Sequence, residues 1–193
     1  MGDLIVHQFV SADGFAGDES GEFALFDGSG PSEELDRDTL SRLETVDAIV
    51  LGATTYRMFA AFWPTSDSDQ ELLARPINEL PKFVVSTTLE EAPWGEYPPA
   101  TLVSDDAAEA VRRLKRDLPG DLMVWGSLTL TDTLFAAGLV DTVRLAVLPR
   151  LLGHGRSAFP SGSSDLDLHL VRVETYDSEI AVIEYQNERK ESS

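Results

Sequence analysis

The sequence predicts an α/β fold: a single three-layer domain with a mixed, mostly parallel central sheet and a C-terminal β hairpin. Three observations carry that expectation. Short, continuous apolar runs alternate with amphipathic stretches, the pattern of parallel strands buried on both faces between helices. Three of these runs, Ile49-Val50-Leu51, Phe83-Val84-Val85 and Leu122-Met123-Val124-Trp125, leave through Gly or Ser into small hydroxyl residues. Two strand-like runs, 169–176 and 180–186, flank Asp177-Ser178 as a terminal hairpin would.

The elements follow in order. Residues 4–10 read as a first strand, closed by the turn Ser11-Ala12-Asp13-Gly14. A glycine-bearing loop through Gly17, Gly21, Gly28 and Gly30 leads to Pro31-Ser32-Glu33-Glu34, a helix start with a capping Ser and acids at the positive dipole end. Leu35, Leu40, Leu43 and Val46 then share one helical stripe. A strand at 48–51 precedes a helix at 54–62, which Trp63-Pro64 stops. Residues 67–80 are partly helical and broken at Pro76. Strands at 82–86 and 101–103 precede a helix capped by Asp105 or Asp106 and running to Lys115. A strand at 121–125, a helix at 127–137 ended by Gly138, and a strand at 142–148 complete the alternation. Residues 150–162 form a Gly-rich loop. The domain is expected to span 1–186, with a polar tail at 187–193.

Composition bounds the chemistry. With 193 residues, 42% hydrophobic and 8% aromatic, the chain can bury a real core. It has no Cys, which excludes disulfides, thiolate metal sites and a Cys nucleophile and suits a reducing cytoplasm. No metal site is expected. No apolar stretch is long enough to cross a bilayer, and no basic region precedes the first apolar run, so neither membrane insertion nor a signal peptide is expected. The net charge of −19 repels nucleic acid and anionic membrane at long range. The acidity reads as a solubilising surface or as adaptation to salt. Either way, an anionic ligand must be held by local Arg, backbone N–H and hydroxyl groups.

The repeated exit supplies such groups. Gly52-Ala53-Thr54-Thr55, Ser86-Thr87-Thr88 and Gly126-Ser127-Leu128-Thr129 each place Gly or small hydroxyls where a strand hands over to the next segment. Parallel sheets release ligand sites at their carboxyl ends, and helix N-termini favour phosphate. The spacing is neither a Walker loop nor a G-x-G-x-x-G fingerprint. A nucleotide lying across one sheet edge is the reading these turns support together. Phe59, Phe62 and Trp63 offer a stacking wall for a planar heterocycle or ordinary core at helical spacing. Arg57, Lys82, Arg150 and Arg156 are the few basic groups near these motifs.

Taken in order, Ser11-x-Asp13-Gly14, Gly52-x-x-Thr55-Tyr56, Val84-Val85-Ser86, Gly126-Ser127-Leu128 and Val140-Asp141 followed by Pro149-x-x-x-Gly153-x-Gly155-x-x-x-Phe159 resemble the dihydrofolate-reductase-like superfamily. The branch they resemble most is the C-terminal reductase domain of the riboflavin-pathway deaminase–reductase. The resemblance runs from Leu4 to Tyr185 and implies a stand-alone reductase-like protein with NADPH as cofactor. It implies phosphate contacts at Gly52, Ala53, Thr54 and Thr55, an adenosine side at Ser86 and Thr87, and pyrophosphate and ribose contacts at Gly126, Ser127, Leu128 and Thr129. Two positions depart from it. The Arg expected after the first Gly is Ala53, and the second Gly of a Gly-Gly turn is Ser127, where the family's cis peptide would be costly.

Hydride transfer to a C=N or C=O bond needs a proton donor. Asp13 directly follows the first strand. Asp36 falls on the first helix, where the resemblance puts a substrate carboxylate. His7, His154 and His169 are the only histidines, and each reads more readily as structural or exposed. The expected substrate is a small planar heterocycle, pterin-like or pyrimidine-like, with contacts at Phe62, Trp63 and Arg150. The alternatives are a nucleotide- or ligand-binding protein without turnover on the same fold, and a structural or regulatory homodimer. A homodimer is expected in any case, because 142–148 and the terminal strands carry apolar residues on both faces. A side chain at residue 126 is expected to block the nucleotide with little cost to the fold.

Overall fold

The computed structural model describes residues 2–17, 32–159, 166–177 and 179–187. Its strands are β1 (Leu4–Ser11), β2 (Phe15–Gly17), β3 (Val46–Gly52), β4 (Lys82–Val85), β5 (Thr101–Val103), β6 (Asp121–Trp125), β7 (Thr142–Leu148), β8 (Arg156–Ser157), β9 (Leu168–Tyr176) and β10 (Ile180–Asn187). Its helices are α1 (Glu33–Leu43), α2 (Ala53–Phe62), α3 (Ala74–Glu79), α4 (Ala107–Asp117) and α5 (Leu128–Ala136), with one 3-10 turn at Ser66–Ser68. Eight strands form one sheet in the order β5-β4-β3-β6-β1-β7-β10-β9. The pairs from β5 to β7 are parallel, and β10 joins β7 and β9 antiparallel. The strands with the repeated exits, β4, β3 and β6, lie side by side and parallel, as expected.

The pleat divides the core. Leu4, Val6, Ala48, Val50, Leu122 and Val124 face Ala108, Val111 and Leu114 of α4 and Leu130, Leu134 and Phe135 of α5. The alternate residues Ile5, Ile49, Leu51, Met123 and Trp125 face Leu43 of α1, Tyr56 and Phe59 of α2 and Ile77 of α3. Two helical layers thus enclose a sheet whose strands are apolar on both sides, which is why those runs show no period-2 alternation in the sequence.

Several boundaries move. Val46, placed on the first helical stripe, starts β3: α1 stops at Leu43, and Val46 joins the α1-side core from the strand. Pro76 does not break the 67–80 stretch. It occupies the first turn of α3, where the missing N–H has no intrahelical partner to lose. Asn187, read as the start of the tail, ends β10, because its N–H donates to Asp141 O (2.8 Å) and its Nδ2 to Val140 O (3.0 Å). The short ribbon β2–β8 has no counterpart in the sequence reading, since two- and three-residue strands carry no periodicity. Gly21, Gly28, Gly30, Pro31, Gly162 and the tail from 188 onward lie outside the described residues.

Candidate active site at the carboxyl edge of the sheet

The exits from β3 and β6 are fastened to each other. Gly52 N–H donates to Ser127 Oγ (2.8 Å), Ser127 N–H donates to Thr55 Oγ1 (3.0 Å), and Ser127 Oγ donates to Trp125 O (3.0 Å). From β1, Gln8 Nε2 donates to Gly126 O (2.6 Å), and Gly126 N–H donates to His7 O (3.1 Å). Thr131 Oγ1 donates to the same Gly126 carbonyl (3.1 Å). The turn between β6 and α5 is therefore held from both neighbouring strands.

No cis peptide occurs among the described residues, so the Gly126–Ser127 bond is trans, and the costly cis bond that the resemblance would put there is not made. The turn is made instead by two successive left-handed residues, Gly126 (φ 57°) and Ser127 (φ 55°). A non-Gly residue in that region is unusual, and the two hydrogen bonds to Ser127 hold it there. A Cβ at Gly126 would lie 3.3 Å from Thr55 Oγ1, on a backbone that L side chains rarely adopt. The expectation that a side chain there leaves the fold nearly untouched is thus corrected.

Four helices open at this edge. The N-termini of α1 and α4 are capped by side chains, Ser32 Oγ accepting from Leu35 N (3.2 Å) and Asp106 Oδ1 from Glu109 N (3.0 Å). The two between them, α2 at Gly52 and α5 at Ser127, have no side-chain cap. Their first turns begin within one hydrogen bond of each other and carry the positive ends of two helix dipoles. Ala53 is half-buried and Thr54 exposed on the first turn of α2, while Thr129 is exposed on that of α5. Leu128 packs inward against the Val10, Ala16 and Ala158 cluster. The hydroxyls of Thr55 and Ser127 are engaged inside the clasp, so backbone N–H groups and Thr54 supply the outward-facing donors. Ser86, one strand over, accepts from Thr88 N (3.2 Å) and Leu89 N (3.1 Å), with Thr87 exposed beside it. Arg57, one turn past Ala53, is exposed. The donor set fits a nucleotide phosphate, with no basic side chain at the position after Gly52.

A chain of ring contacts leads away from the clasp. His7 meets Phe9 (5.2 Å between centroids) and Trp125 (5.0 Å), Trp125 meets Phe59 (5.6 Å), Phe59 meets Trp63 (6.1 Å), and Trp63 meets Phe62 (5.1 Å). Phe59 is core; Phe62 is 38% exposed and Trp63 half-buried, so the outer end of the wall is open to solvent.

The two acids separate sharply. Asp36 is buried on the inner face of α1, and burial, with Glu71 and Glu33 nearby, pushes its carboxyl up to about 6. Asp13 is exposed. The Ser11 hydroxyl and the Gly153 and Leu152 N–H groups (2.7 and 3.2 Å) hold it down to about 2. As a proton donor it is therefore poorly placed: its hydrogen bonds favour the anion, and they staple the Ser11–Gly14 turn to the Gly-rich loop. Arg150 is exposed in that loop, and its carbonyl accepts from Ala12 N (2.8 Å).

Behind this wall lie His7, which the sequence reads as structural or exposed, and Arg144, which no motif singles out. His7 and Arg144 are fully buried, and Arg144 Nε donates to His7 Nδ1 (2.9 Å). Arginine is only a donor, so the imidazole proton sits on Nε2, which has no hydrogen-bond partner among the described residues. Burial, then Arg144, drives the His7 pKa well below its usual value. The available signal was local: His7-Gln8 puts two polar residues inside an otherwise apolar strand. Among the described residues, no group of three His, Cys, Asp or Glu could hold a metal ion, and no helix is long and apolar enough to cross a membrane.

Comparison with known proteins agrees with this architecture. The family model of the RibD C-terminal domain matches residues 3–182. The uncharacterized protein YyaP of Bacillus subtilis (strain 168) is 26% identical over 187 residues, covering 94% of this chain and 93% of its own. A crystal structure from Shewanella sp. PV-4, of a candidate riboflavin biosynthesis protein, superposes with a TM-score of 0.77 at 23% identity, covering 98% of this chain and all of that one. Dihydrofolate reductase from Enterococcus faecalis, complexed with NADP(H), gives a TM-score of 0.62 at 13% identity and 97% coverage of both chains.

Proposed function

From the premise that the chain belongs to the RibD C-terminal domain family and has a dihydrofolate-reductase-like fold, we propose that it is an NADPH-dependent reductase of a small planar heterocycle, pterin-like or pyrimidine-like. The reading rests on the two side-by-side helix N-termini without side-chain caps, those of α2 and α5, with Asp36, a buried carboxyl on the first turn of α1 pushed up to about 6, as the candidate acid. The N–H groups of Ala53 to Thr55 and of Leu128 and Thr129, with the Thr54 hydroxyl, hold the phosphates against the turns of Gly52 and Gly126-Ser127, and Ser86 and Thr87 the adenosine side. NADPH bound there would supply the hydride for the carbon of a C=N or C=O bond. Asp36 gives a proton to the heteroatom of that bond, and its buried setting keeps the proton available. Phe62 and Trp63 stack on the heterocycle, and Arg150 meets a polar substituent. The reaction belongs in the cytoplasm, where NADPH is available.

Purified protein should quench NADPH fluorescence, and a pterin or pyrimidine acceptor should then deplete NADPH absorbance. Quenching without depletion for any such acceptor favours the second reading, a nucleotide-binding protein without turnover. That reading has its own support: Ala53 replaces an anion-binding Arg, and two of the hydroxyls are engaged internally.

The same reading includes a homodimer. On β7, Arg144 and Ala146 lie beneath α1, while Leu145 and Val147 on the opposite face are only half-covered. Ile183 of β10 and the exposed Leu170 and Val173 of β9 extend this apolar face. Light scattering at micromolar concentration should give twice the mass of one chain, and the mass of a single chain refutes the dimer.

A further inference from the structure

Arg144 is a wholly buried cation at the centre of four elements. Its Nη2 donates to Asp38 Oδ2 (2.6 Å) and Thr39 Oγ1 (3.3 Å) on α1, its Nη1 to Glu184 Oε1 (2.7 Å) on β10, and its Nε to His7 Nδ1 (2.9 Å) on β1. The other oxygen of Asp38 accepts from Arg172 Nη2 of β9 (2.6 Å), which also reaches the Tyr176 hydroxyl (3.0 Å). Two arginines and two carboxylates balance one another, and the planar fork of Arg144 spans all its partners at once. Removing one partner from such a cluster leaves an uncompensated buried charge, so the arrangement has one low-energy geometry.

That geometry governs α1. Asp38 and Thr39 lie on the same helix as Asp36, within about one turn of it. Leu35, Leu40 and Leu43 pack inward and Arg42 lies 3.7 Å from Asp121 of β6, while in the middle of the helix the arginine pair ties Asp38 and Thr39 to β7 and β9. We infer that Arg144 is a positioning residue: through Asp38 and Thr39 it seats α1 on the sheet so that the Asp36 carboxyl stays buried on the inner face of that helix. The inference rests on the proposed role of Asp36 as proton donor. Arg144 does not itself meet substrate.

The test reads the carboxyl of Asp36 directly, by NMR titration of protein carrying 13C-labelled aspartate, without needing a substrate. The charged groups that bear on Asp36 from its surroundings are Glu33 on α1 and Glu71 before α3. Arg144→Lys keeps the positive charge but loses the fork, so a purely through-space influence predicts no change. A loosened α1 instead lets water reach Asp36 and lowers its midpoint by about one unit. Arg172→Gln serves if Arg144→Lys fails to fold, because the two effects then have opposite signs. Losing a cation by itself raises the Asp36 midpoint, whereas unseating α1 lowers it. An Asp36 midpoint that is raised in the wild type and does not fall in the folded variants overturns the positioning role. A wild-type Asp36 that titrates as an ordinary aspartate overturns the donor assignment itself, and this inference with it.

Discussion

The two edges of the central sheet treat their backbone donors in opposite ways. At the amino edge, carboxylates close the strand ends: Asp121 accepts from Asp3 N (2.8 Å), Asp141 from Leu4 N (2.8 Å) and Asp47 from Gly120 N (2.6 Å). Lys115 then pairs with Asp141, and Arg42 lies 3.7 Å from Asp121. At the carboxyl edge, the exits of β3 and β6 use their hydroxyls on each other, and α2 and α5 begin without side-chain caps. An edge built only for stability satisfies its donors with acids. An edge able to receive an anion must keep acids away, and in a chain of net charge −19 the absence of Asp and Glu from 52–55 and 126–129 is itself informative.

The contrast can be broken from either side. The largest stability loss belongs at the amino edge: Asp141→Ala leaves Lys115, which is 4% exposed, without its carboxylate and takes the acceptor from Leu4 N–H. A cost of about 3 kcal/mol is expected in urea unfolding, with NADPH affinity unchanged. A weakened affinity would mean the two edges are coupled. At the carboxyl edge, Gly126→Ala puts a Cβ against Thr55 on a left-handed backbone. It should cost about 1–2 kcal/mol and reduce NADPH affinity at least tenfold. The stability loss without the affinity loss would remove Gly126 from the binding surface.

Asp36→Asn tests the donor at that edge. Turnover should fall by about a hundredfold or more with NADPH binding retained. In the wild type, turnover should decline as pH rises through about 6, as the carboxyl loses its proton. Stability moves in the same direction. Because the folded-state pKa is raised, the folded protein binds the proton more tightly than the unfolded chain. Stability therefore falls as pH rises from about 4 to 6, and the penalty is fully present above that window. Asn removes the penalty, so the variant should be more stable than wild type at pH 7, by about 2 kcal/mol, and close to it at pH 4. Equal stability at both pH values would contradict the buried carboxyl. The smallest effect is expected from Ala53→Arg, which restores a cation to the uncapped turn. NADPH affinity should rise about tenfold more than NADH affinity, which isothermal titration can separate. Equal gains would show that residue 53 does not face the 2′-phosphate.

Much of this was legible in the chain. Apolar runs without alternation require strands buried on both faces, so the three-layer α/β fold follows from hydrophobic burial alone. The Gly and hydroxyl exits follow from steric and hydrogen-bonding rules that act within a few residues, and they fell at one edge because parallel strands put equivalent ends together. The ribbon of β2 and β8 was too short to leave a pattern. Val46 could fit an inward stripe whether it belonged to helix or strand, and only packing decided between them.

Residue-level chemistry divided along the same line. Local sequence singled out Gly52, Thr55, Gly126 and Ser127 as candidates, but only the fold turned the hydroxyls of Thr55 and Ser127 inward onto each other's turns. Asp13 and Asp36 look alike in the sequence. The structure gives one a set of N–H and O–H donors in solvent and the other an apolar helix face with acids nearby, and environment sets a carboxyl's proton affinity. The Arg144 cluster draws His7, Asp38, Arg172 and Glu184 from places up to 177 positions apart in the numbering (from His7 to Glu184). Neither periodicity nor a motif brings such residues together, because their energy comes from a buried juxtaposition that exists only once the strands have paired.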